Sequence, residues 1–204
     1  MMTNKRSRKS TGDRKVEILQ TALDLAFEAG PGMVSTGMIA QKLGLTQPSI
    51  YKHFSSKEDI WIQVANHLTT QIRGNLDRCR AANCSPQDRL KMQVLDHLRL
   101  VQKNPALPEI MVLRELHKDQ SVLRQQILQS MSAFHAVLVE NVAAAQKSGE
   151  FREDIDTDDA ASLILGIIQS LVLRMLLSRN PAILLPEGER LLALQLAGFA
   201  HIGE

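Results

Sequence analysis

The chain has 204 residues, of which 44% are hydrophobic, 23% are charged and 3% are aromatic. This composition excludes a disordered chain and is typical of a globular protein with a sizeable aliphatic core. The net charge is only +2, but six basic side chains face a single acid, Asp13, within the first fifteen residues. A basic end on a nearly neutral body is typical of a nucleic-acid-binding module joined to a second domain.

Residues 1–12 are polar and basic and are predicted to form a flexible arm. No apolar run follows the basic residues, so the arm does not resemble a secretory signal. The longest apolar stretch, Leu163–Leu177, contains polar residues and is shorter than a membrane span. We therefore expect a cytoplasmic protein with no membrane partner, in which Cys79 and Cys84 are reduced thiols.

Helical spacing of apolar residues begins at Asp13 and stops at Gly30-Pro31-Gly32, a strong helix breaker. The alternation that marks strands is absent, which predicts an all-α protein. We expect a three-helix helix-turn-helix domain at 13–56 and a six-helix C-terminal domain at 57–204. Nine helices are predicted, at about 13–29, 36–43, 47–53, 57–80, 86–103, 106–118, 120–148, 157–179 and 187–202.

Residues 35–57, STGMIAQKLGLTQPSIYKHFSSK, predict two short helices joined by a tight turn. Ala40 and Gly44 are small and four residues apart, where the helices must approach each other and the chain must turn. Ser35 and Thr46 are expected to cap the two helices. The second helix carries polar, basic and aromatic side chains, and such a helix lies in the DNA major groove. This stretch therefore indicates a transcription regulator.

The runs RKVEILQTALDLAFEAG and VSTGMIAQKLGLTQPSIYKHFSSKEDI resemble the N-terminal domain of TetR-family transcriptional regulators. The resemblance covers about residues 13–62 in order and without gaps. It implies a homodimeric repressor that a small-molecule effector releases from a palindromic DNA operator, with 57–204 as the effector-binding and dimerisation domain. The family pattern is kept at Ile39-Ala40, Leu43-Gly44, Ser49-Ile50-Tyr51, His53-Phe54 and Lys57-Glu58.

The first turn of the second helix, Thr46–Ser49, is expected to enter the groove first. Gln47 can pair with adenine, and the Thr46 methyl group or the Pro48 ring can touch a thymine methyl group. Many relatives carry Lys or Gly where this chain has Gln47 and Pro48, so the family's base preference is not carried over.

By resemblance, Thr36, Gly37 and Lys57 hold the DNA backbone. Tyr51 could instead only close the small core, and His53 could simply end the helix. The predicted DNA-binding residues are Thr36, Gly37, Thr46, Gln47, Pro48, Ser49, Tyr51, Lys52, His53 and Lys57.

The helix over residues 160–177 is apolar nearly all round, so it should be buried on several sides. Gly166 and Ser170 are small and four residues apart, which allows a partner helix to come close. The resemblance implies that this helix and the last one pair with their copies in a four-helix dimer bundle, and a monomeric core is the alternative. The predicted interface residues are Leu163, Gly166, Ile167, Ser170, Leu171, Leu192, Leu196 and Phe199.

The resemblance also implies a small-molecule pocket among the central helices. His97 and Gln169 are polar residues on otherwise apolar faces, although a core histidine is the alternative for His97. Methionines offer an adaptable lining. The scarcity of aromatic residues favours an apolar or amphipathic effector. The predicted pocket residues are Met92, His97, Met111, Met131, Phe134 and Gln169.

No motif predicts catalysis, a metal site or a cofactor. Cys79 and Cys84 lack zinc-site spacing and are interpreted as inert thiols, with a redox switch as the alternative. The acids in 154–159 are interpreted as a loop and helix start, not a metal site. Two other functions stay open: an activator or ligand-independent regulator with the same helix-turn-helix, and an all-α enzyme or carrier in which that motif is only structural.

Overall fold

The computed structural model describes residues 10–110 and 121–200, with side chains described at 10–110 and 128–200. The described residues form an all-α fold, as predicted, and an isolated bridge between Phe151 and Ala200 is their only β feature. The chain divides into two compact units, residues 1–66 and 67–204. The division lies ten residues beyond the predicted boundary at 56/57, because the start of the long fourth helix belongs to the first unit.

The described residues form eight α-helices of five or more residues. Their bounds are α1 Thr11–Ala29, α2 Thr36–Leu43, α3 Gln47–Tyr51, α4 Lys57–Ala81, α5 Pro86–Lys103, α6 Ser121–Lys147, α7 Thr157–Ser178 and α8 Leu184–Phe199.

The predicted helix at 106–118 is helical over 107–110, and its remainder lies outside the described residues. The last helix was predicted at 187–202 but begins three residues earlier, at Leu184. A short 3₁₀ turn, Pro181–Ile183, leads directly into it, and the Asn180 side chain accepts a hydrogen bond from the Ala182 N–H at 3.1 Å. Pro181 does not interrupt this arrangement, because the first turn of a helix tolerates proline.

In the first unit, α1 packs against α2, and α2 packs against α3. The core is aliphatic, and Ile18, Ile39 and Ile50 are almost fully buried. Phe54 and Trp61 complete it. Burial of these side chains, at about 1.5–3 kcal/mol for each large aliphatic residue, stabilises helices that would be marginal by themselves.

Serine side chains cap α2 and α4. The Ser35 hydroxyl accepts from the Met38 N–H at 3.2 Å, as the sequence predicts. At α4 the bonds are reciprocal: Asp59 accepts from the Ser55 N–H at 2.8 Å, and Ser56 accepts from the Asp59 N–H at 3.0 Å. The Ser55 backbone hydrogen bond lowers the pKa of the Asp59 carboxyl group. This geometry fixes the point at which α4 starts.

In the second unit, α5 packs against α6 and α8, and α7 packs against the same two helices. Gly188 on α8 marks the closest approach, since a Cβ atom there would lie 2.3 Å from Leu98 Cδ1 on α5. A buried polar chain joins α5 to α6: Asn141 donates to Gln93 at 3.2 Å, and Gln93 donates to the Phe134 carbonyl at 2.9 Å. These buried amides are paired, so they cost little and specify helix register.

The helix α7 is longer than the apolar stretch Leu163–Leu177 that it contains. Of the described residues, it is the one helix long and apolar enough to cross a membrane, with a mean hydropathy of 2.0. A core helix of a soluble protein passes the same test, and Ile164, Leu171 and Met175 of α7 are completely buried within the second unit. The packing of α7 between α6 and α8 therefore accounts for its inward-facing apolar residues.

Candidate nucleic-acid interface and effector cavity

The turn between α2 and α3 is set by Gly44, which has a φ angle of +64° and ends α2. This left-handed conformation is accessible to glycine at low cost. The Gly44 N–H bonds to the Gln41 carbonyl at 3.1 Å, and the Leu45 N–H bonds to Ala40 at 2.8 Å. Ala40 is 3% exposed, which agrees with its predicted place at the helix contact. The turn therefore holds α3 at a fixed angle to α2.

The helix α3 presents one apolar and one polar face. Ile50 is fully buried, whereas Gln47, Pro48 and Lys52 are exposed and Tyr51 is 48% exposed. The helix ends at Tyr51, two residues earlier than predicted, and Lys52 and His53 lie in the following turn. The residues that the sequence predicted to enter the groove lie on this polar face.

Thr46 occupies the N-cap position of α3 but does not cap it with its side chain. Its hydroxyl group instead lies 2.8 Å from the Ser49 hydroxyl group, while the Thr46 carbonyl accepts from the Ser49 N–H at 2.9 Å. The capping prediction for Thr46 is wrong, because the neighbouring serine competes for the same hydroxyl. Both side chains stay on the outer face of the first turn.

Thr36 differs from its predicted role. It is 5% exposed, and its hydroxyl oxygen accepts a hydrogen bond from Gln47 Nε2 at 2.8 Å. The same hydroxyl lies 3.3 Å from the Tyr51 hydroxyl group. A buried hydroxyl with two protein partners has little capacity left for a phosphate. Thr36 is therefore placed to position two α3 side chains, while Gly37 beside it is partly exposed at the start of α2.

Three other predicted contacts lie near the end of α3 and the start of α4. Lys52 is exposed and Lys57, the first residue of α4, is partly exposed. His53 Nδ1 is buried and has no hydrogen-bond partner among the described residues. Phe54 is 2% exposed, and Lys15 Nζ lies 5.8 Å from its ring centre.

The second unit contains a mostly apolar cavity of about 170 Å³. Four of the six predicted pocket residues line it: His97, Met131, Phe134 and Gln169. The other lining residues come from α4 to α7 and the 107–108 segment, and they are Ile72, Val101, Leu107, Pro108, Ser130, Leu165, Ile168 and Val172.

Met92 does not line the cavity, so its pocket assignment is wrong. Met92 and His97 both lie on α5 but are five residues apart, which places them about 140° apart around the helix. Met111 lies outside the described residues. Three lining residues of α7 were not predicted, although helical spacing indicates them. Leu165, Ile168 and Val172 share the helical face of Gln169.

His97 is the most unusual residue of the cavity wall. Its ring centre lies 4.8 Å from the Phe134 ring centre at a tilt of 53°, and Nδ1 is buried without a hydrogen-bond partner. The side chain as a whole is partly accessible, because the ring faces the cavity. Burial lowers the pKa of His97 to about 4, so the imidazole is neutral at pH 7.

Four of the predicted interface residues are buried inside the protomer. Leu171, Leu192, Leu196 and Phe199 are between 0% and 4% exposed, so they form its core and cannot contact a second copy. The apolar pattern of α7 and α8 did not separate the inward face from the outward one. The predicted residues that remain accessible are Leu163, Gly166, Ile167 and Ser170.

The outward face of α7 and α8 carries large apolar side chains. Leu163, Leu173 and Leu177 of α7 are 54%, 58% and 79% exposed, and Leu194 of α8 is 70% exposed. The spacing of the α7 residues places them with Gly166 and Ser170 on one stripe. Arg174, within this stripe, is hydrogen-bonded to Glu187 of α8 in the same protomer, so its charge is paired.

A helix-turn-helix with an exposed polar recognition helix, followed by an all-α domain that contains a mostly apolar cavity, is the arrangement of a DNA-binding transcriptional regulator. Two family models match the chain. Residues 18–64 match the model of bacterial regulatory proteins of the tetR family, and residues 108–184 match the tetracyclin repressor-like C-terminal domain. The chain belongs to the TetR family of transcriptional regulators.

Two relatives illustrate the sequence similarity. The fatty acid metabolism regulator protein of Bacillus subtilis is 24% identical over 157 residues, which cover 77% of this chain and 80% of that protein. The HTH-type transcriptional repressor KstR of Mycobacterium tuberculosis is 24% identical over 142 residues, or 70% of this chain and 62% of the repressor.

Two solved structures share the fold. The ketosteroid transcriptional regulator KstR2 of Mycobacterium tuberculosis superposes with a TM-score of 0.75 at 19% identity, covering 96% of this chain and 97% of that one. The FadR regulator of Bacillus subtilis in complex with stearoyl-CoA has a TM-score of 0.64 at 22% identity, covering 90% and 98%. At these identities the similarity concerns the fold.

Proposed function

We propose that the protein is a cytoplasmic, homodimeric repressor that leaves a palindromic operator when a small-molecule effector binds the second unit. The observation that carries the proposal is the exposed polar face of α3 on a helix-turn-helix that belongs to the TetR family. Repression, as opposed to activation, is supported by the relative KstR, which is named an HTH-type transcriptional repressor.

The proposed base-reading edge is the exposed side of α3 and the turn that follows it. Gln47 and Pro48 stand on its first turn, where the helix would enter the major groove. Tyr51, Lys52 and Lys57 are accessible and are assigned to the DNA backbone. Thr36 positions Gln47 and Tyr51 through the hydrogen bonds of its hydroxyl group.

Dimerisation is proposed through the exposed stripe of α7 and α8. A helix-turn-helix protein reads a palindrome as a dimer, with recognition helices one DNA turn, about 34–36 Å, apart. Leu163, Leu173 and Leu177, with Leu194 of α8, would be removed from water in a self-complementary contact. Gly166 and Ser170 would let the two copies of α7 approach closely.

The effector is proposed to bind in the cavity of the second unit. Ile72 lines this cavity and lies on α4, the helix that begins with the proposed DNA contact Lys57. An effector that binds better when α4 is displaced would favour a protein that does not fit the operator. Its effect is limited to the difference between its affinities for the two states.

An electrophoretic mobility shift at stated salt concentration tests the DNA assignment. Genomic selection with the purified protein identifies the operator, and the Y51A/K52A variant is then compared with the wild type. We expect the variant to bind at least about tenfold more weakly, with a salt slope reduced by about one. The control is K147A, which removes an exposed lysine from α6. Equal binding by Y51A/K52A and the wild type would overturn the assignment.

Sedimentation of stripe variants tests the dimer. The L163E and L177E substitutions place charges on the exposed apolar stripe, and we expect the dimer to dissociate because these charges would be desolvated without partners. L128E is the matched control, since Leu128 is also about half exposed but lies on α6. A stable dimer of L163E/L177E would contradict the proposed interface.

A reporter fused to the selected operator, in a strain with and without the gene, decides between repressor and activator. Higher expression after deletion supports repression. Lower expression would establish the activator alternative, and no change on effector addition would favour a ligand-independent regulator.

A further inference from the structure

The cavity wall contains one polar group whose hydrogen bonding is incomplete. His97 Nδ1 is buried and unpartnered among the described residues, and the ring faces the cavity beside Phe134. Nδ1 itself is closed to a molecule the size of water, so a ligand in the cavity reaches the imidazole on the ring edge that faces the cavity. A ring nitrogen on that edge loses hydrogen bonding worth about 1–3 kcal/mol unless the ligand supplies a polar atom there.

The chemistry of the imidazole limits what that polar atom is. Because burial lowers the pKa of His97 to about 4, the ring is neutral at pH 7 and carries one donor and one acceptor nitrogen. A hydroxyl group both donates and accepts, so it can pair with a cavity-facing ring nitrogen in either tautomer. A hydrocarbon of the same shape leaves the imidazole unpaired.

The remaining lining residues argue against a charged group inside the cavity. None of the described lining residues is ionised at pH 7, since the polar ones are Ser130, Gln169 and neutral His97. A carboxylate or ammonium group would lose its hydration there without an ion-pair partner.

The size of the cavity limits the rest of the molecule. A cavity of about 150 Å³ lined by aliphatic and aromatic side chains accommodates benzene. The cavity of about 170 Å³ therefore suits a single ring or a chain with a similar number of carbon atoms. A stearoyl chain, with about three times the carbon atoms of benzene, exceeds that space.

We propose that the cavity selects a small, uncharged molecule with a compact hydrocarbon body and one hydroxyl group, which hydrogen-bonds to the imidazole of His97. The proposal deepens the proposed function, because it takes this cavity as the effector site. The proposal concerns only the binding of a ligand to the protein in the absence of DNA. A failure of operator binding would therefore leave it standing.

Three probes of nearly equal size test the proposal on the full-length protein: phenol, toluene and benzoate. Ligand-observed NMR titrations at pH 7 give each Kd. We expect phenol to bind about tenfold more tightly than toluene, because toluene leaves the imidazole unpaired. We expect benzoate to bind at least about tenfold more weakly than phenol, because its charge is desolvated.

Substitutions then show whether His97 is responsible. In H97F the preference for phenol over toluene should fall to less than about twofold, while toluene still binds. H97Q keeps a donor and an acceptor and should retain part of the preference. M92L, at an α5 position that does not line the cavity, is the control and should leave the preference within about threefold of wild type. Q169L tests Gln169, another polar wall residue, as the alternative partner of the hydroxyl group.

Several results would overturn the proposal. One is an unchanged phenol preference in H97F, and another is a preference that Q169L abolishes. Benzoate as the tightest ligand, with a proton taken up on binding, would show that the cavity takes anions by charging His97. Absence of binding by all three probes, in protein with native helix content, would exclude ligands of this class.

Discussion

Gln47 Nε2 donates a hydrogen bond of 2.8 Å to Thr36 Oγ1 and so ties the first turn of α3 to the start of α2. The donor atom is one of the two that a glutamine uses in a bidentate contact with adenine. While this bond is intact, one of the two Nε2 hydrogens is occupied, and Gln47 offers a base its carbonyl oxygen and the remaining N–H, with the amide held in one orientation. The relationship therefore restricts the base contact that the sequence predicted for Gln47.

T36V should alter DNA binding through Gln47. Valine matches the shape of threonine at this buried position but removes the hydroxyl group, so Gln47 and Tyr51 lose their shared partner. We expect operator affinity to fall by about three- to tenfold, with little change in binding to non-specific DNA. Mobility shifts on operator and random duplexes of equal length measure both.

A double-mutant cycle separates this positioning role from a direct phosphate contact by Thr36. If Thr36 acts only through Gln47, the loss in T36V/Q47A should equal about that of Q47A alone. Additive losses of free energy would show that Thr36 acts by another route, through Tyr51 or by contacting the DNA itself.

The pKa of His97 predicts a pH dependence of folding stability. The folded-state pKa is about 4, below the usual 6.5, so the unfolded chain binds the proton more readily. Stability is therefore complete above pH 6.5 and is lost as the pH falls from there toward 4. By pH 5 the loss should be about 2 kcal/mol.

Urea unfolding of wild type and H97F at pH 7.5 and pH 5 checks this value. H97F cannot titrate at this position, so the difference between the two proteins isolates the histidine. An identical pH dependence in both proteins would mean that His97 is not the group responsible.

The close packing of α8 against α5 leaves no room for a side chain at Gly188. A methyl group there would lie 2.3 Å from Leu98 Cδ1 in a packed core, and Leu171 Cδ1 lies 3.6 Å from the same position. Overpacking costs about 1–3 kcal/mol, whereas alanine gains up to about 1 kcal/mol in helix propensity. We expect G188A to be destabilised by about 1 kcal/mol.

The control is G74A on α4, where the structure shows no atom within 4 Å of the new methyl group. This variant should gain up to about 1 kcal/mol. Both are measured by urea unfolding at one protein concentration, because the proposed dimerisation would make stability concentration-dependent. Equal stabilisation of both variants would show that α8 can move away from Leu98.

The two cysteines should differ in reactivity. Cys79 is fully buried, and burial raises the pKa of its thiol, whereas Cys84 is exposed. Because the thiolate is the reactive form, a thiol reagent at pH 7.5 should modify one cysteine per chain quickly and the second only on unfolding. The C84S variant should lose the fast phase. Equal rates for both thiols would support the alternative of a redox switch.

Much of the first unit could be predicted from sequence because its signals are local. Gly44 ends α2 by its own backbone freedom, and Ile39 and Ile50 face inward at helical spacing. The α2 bounds agree with the prediction. Thr46 and Thr36 show where prediction from local sequence fails. The role of each hydroxyl group was assigned from its position in the motif, but a neighbouring side chain hydrogen-bonds to it instead.

In the second unit the sequence located the helices better than their faces. The apolar residues of α7 and α8 surround both helices, so periodicity did not distinguish buried Leu171 and Leu196 from exposed Leu177 and Leu194. The lining of the cavity was likewise predicted only in part. His97 and Gln169 were singled out as polar residues on apolar faces, but Met92 was placed on the wrong side of α5.

The sequence by itself determined the all-α class, the helix-turn-helix and the family, because these depend on spacing within short segments. Only the tertiary structure decided which leucines face water, that Thr36 supports Gln47, and that His97 lines a small cavity with a nitrogen left unpaired. These properties depend on which residues from distant parts of the chain pack against one another. Burial and hydrogen bonding are set by those neighbours, and a helical repeat does not contain them.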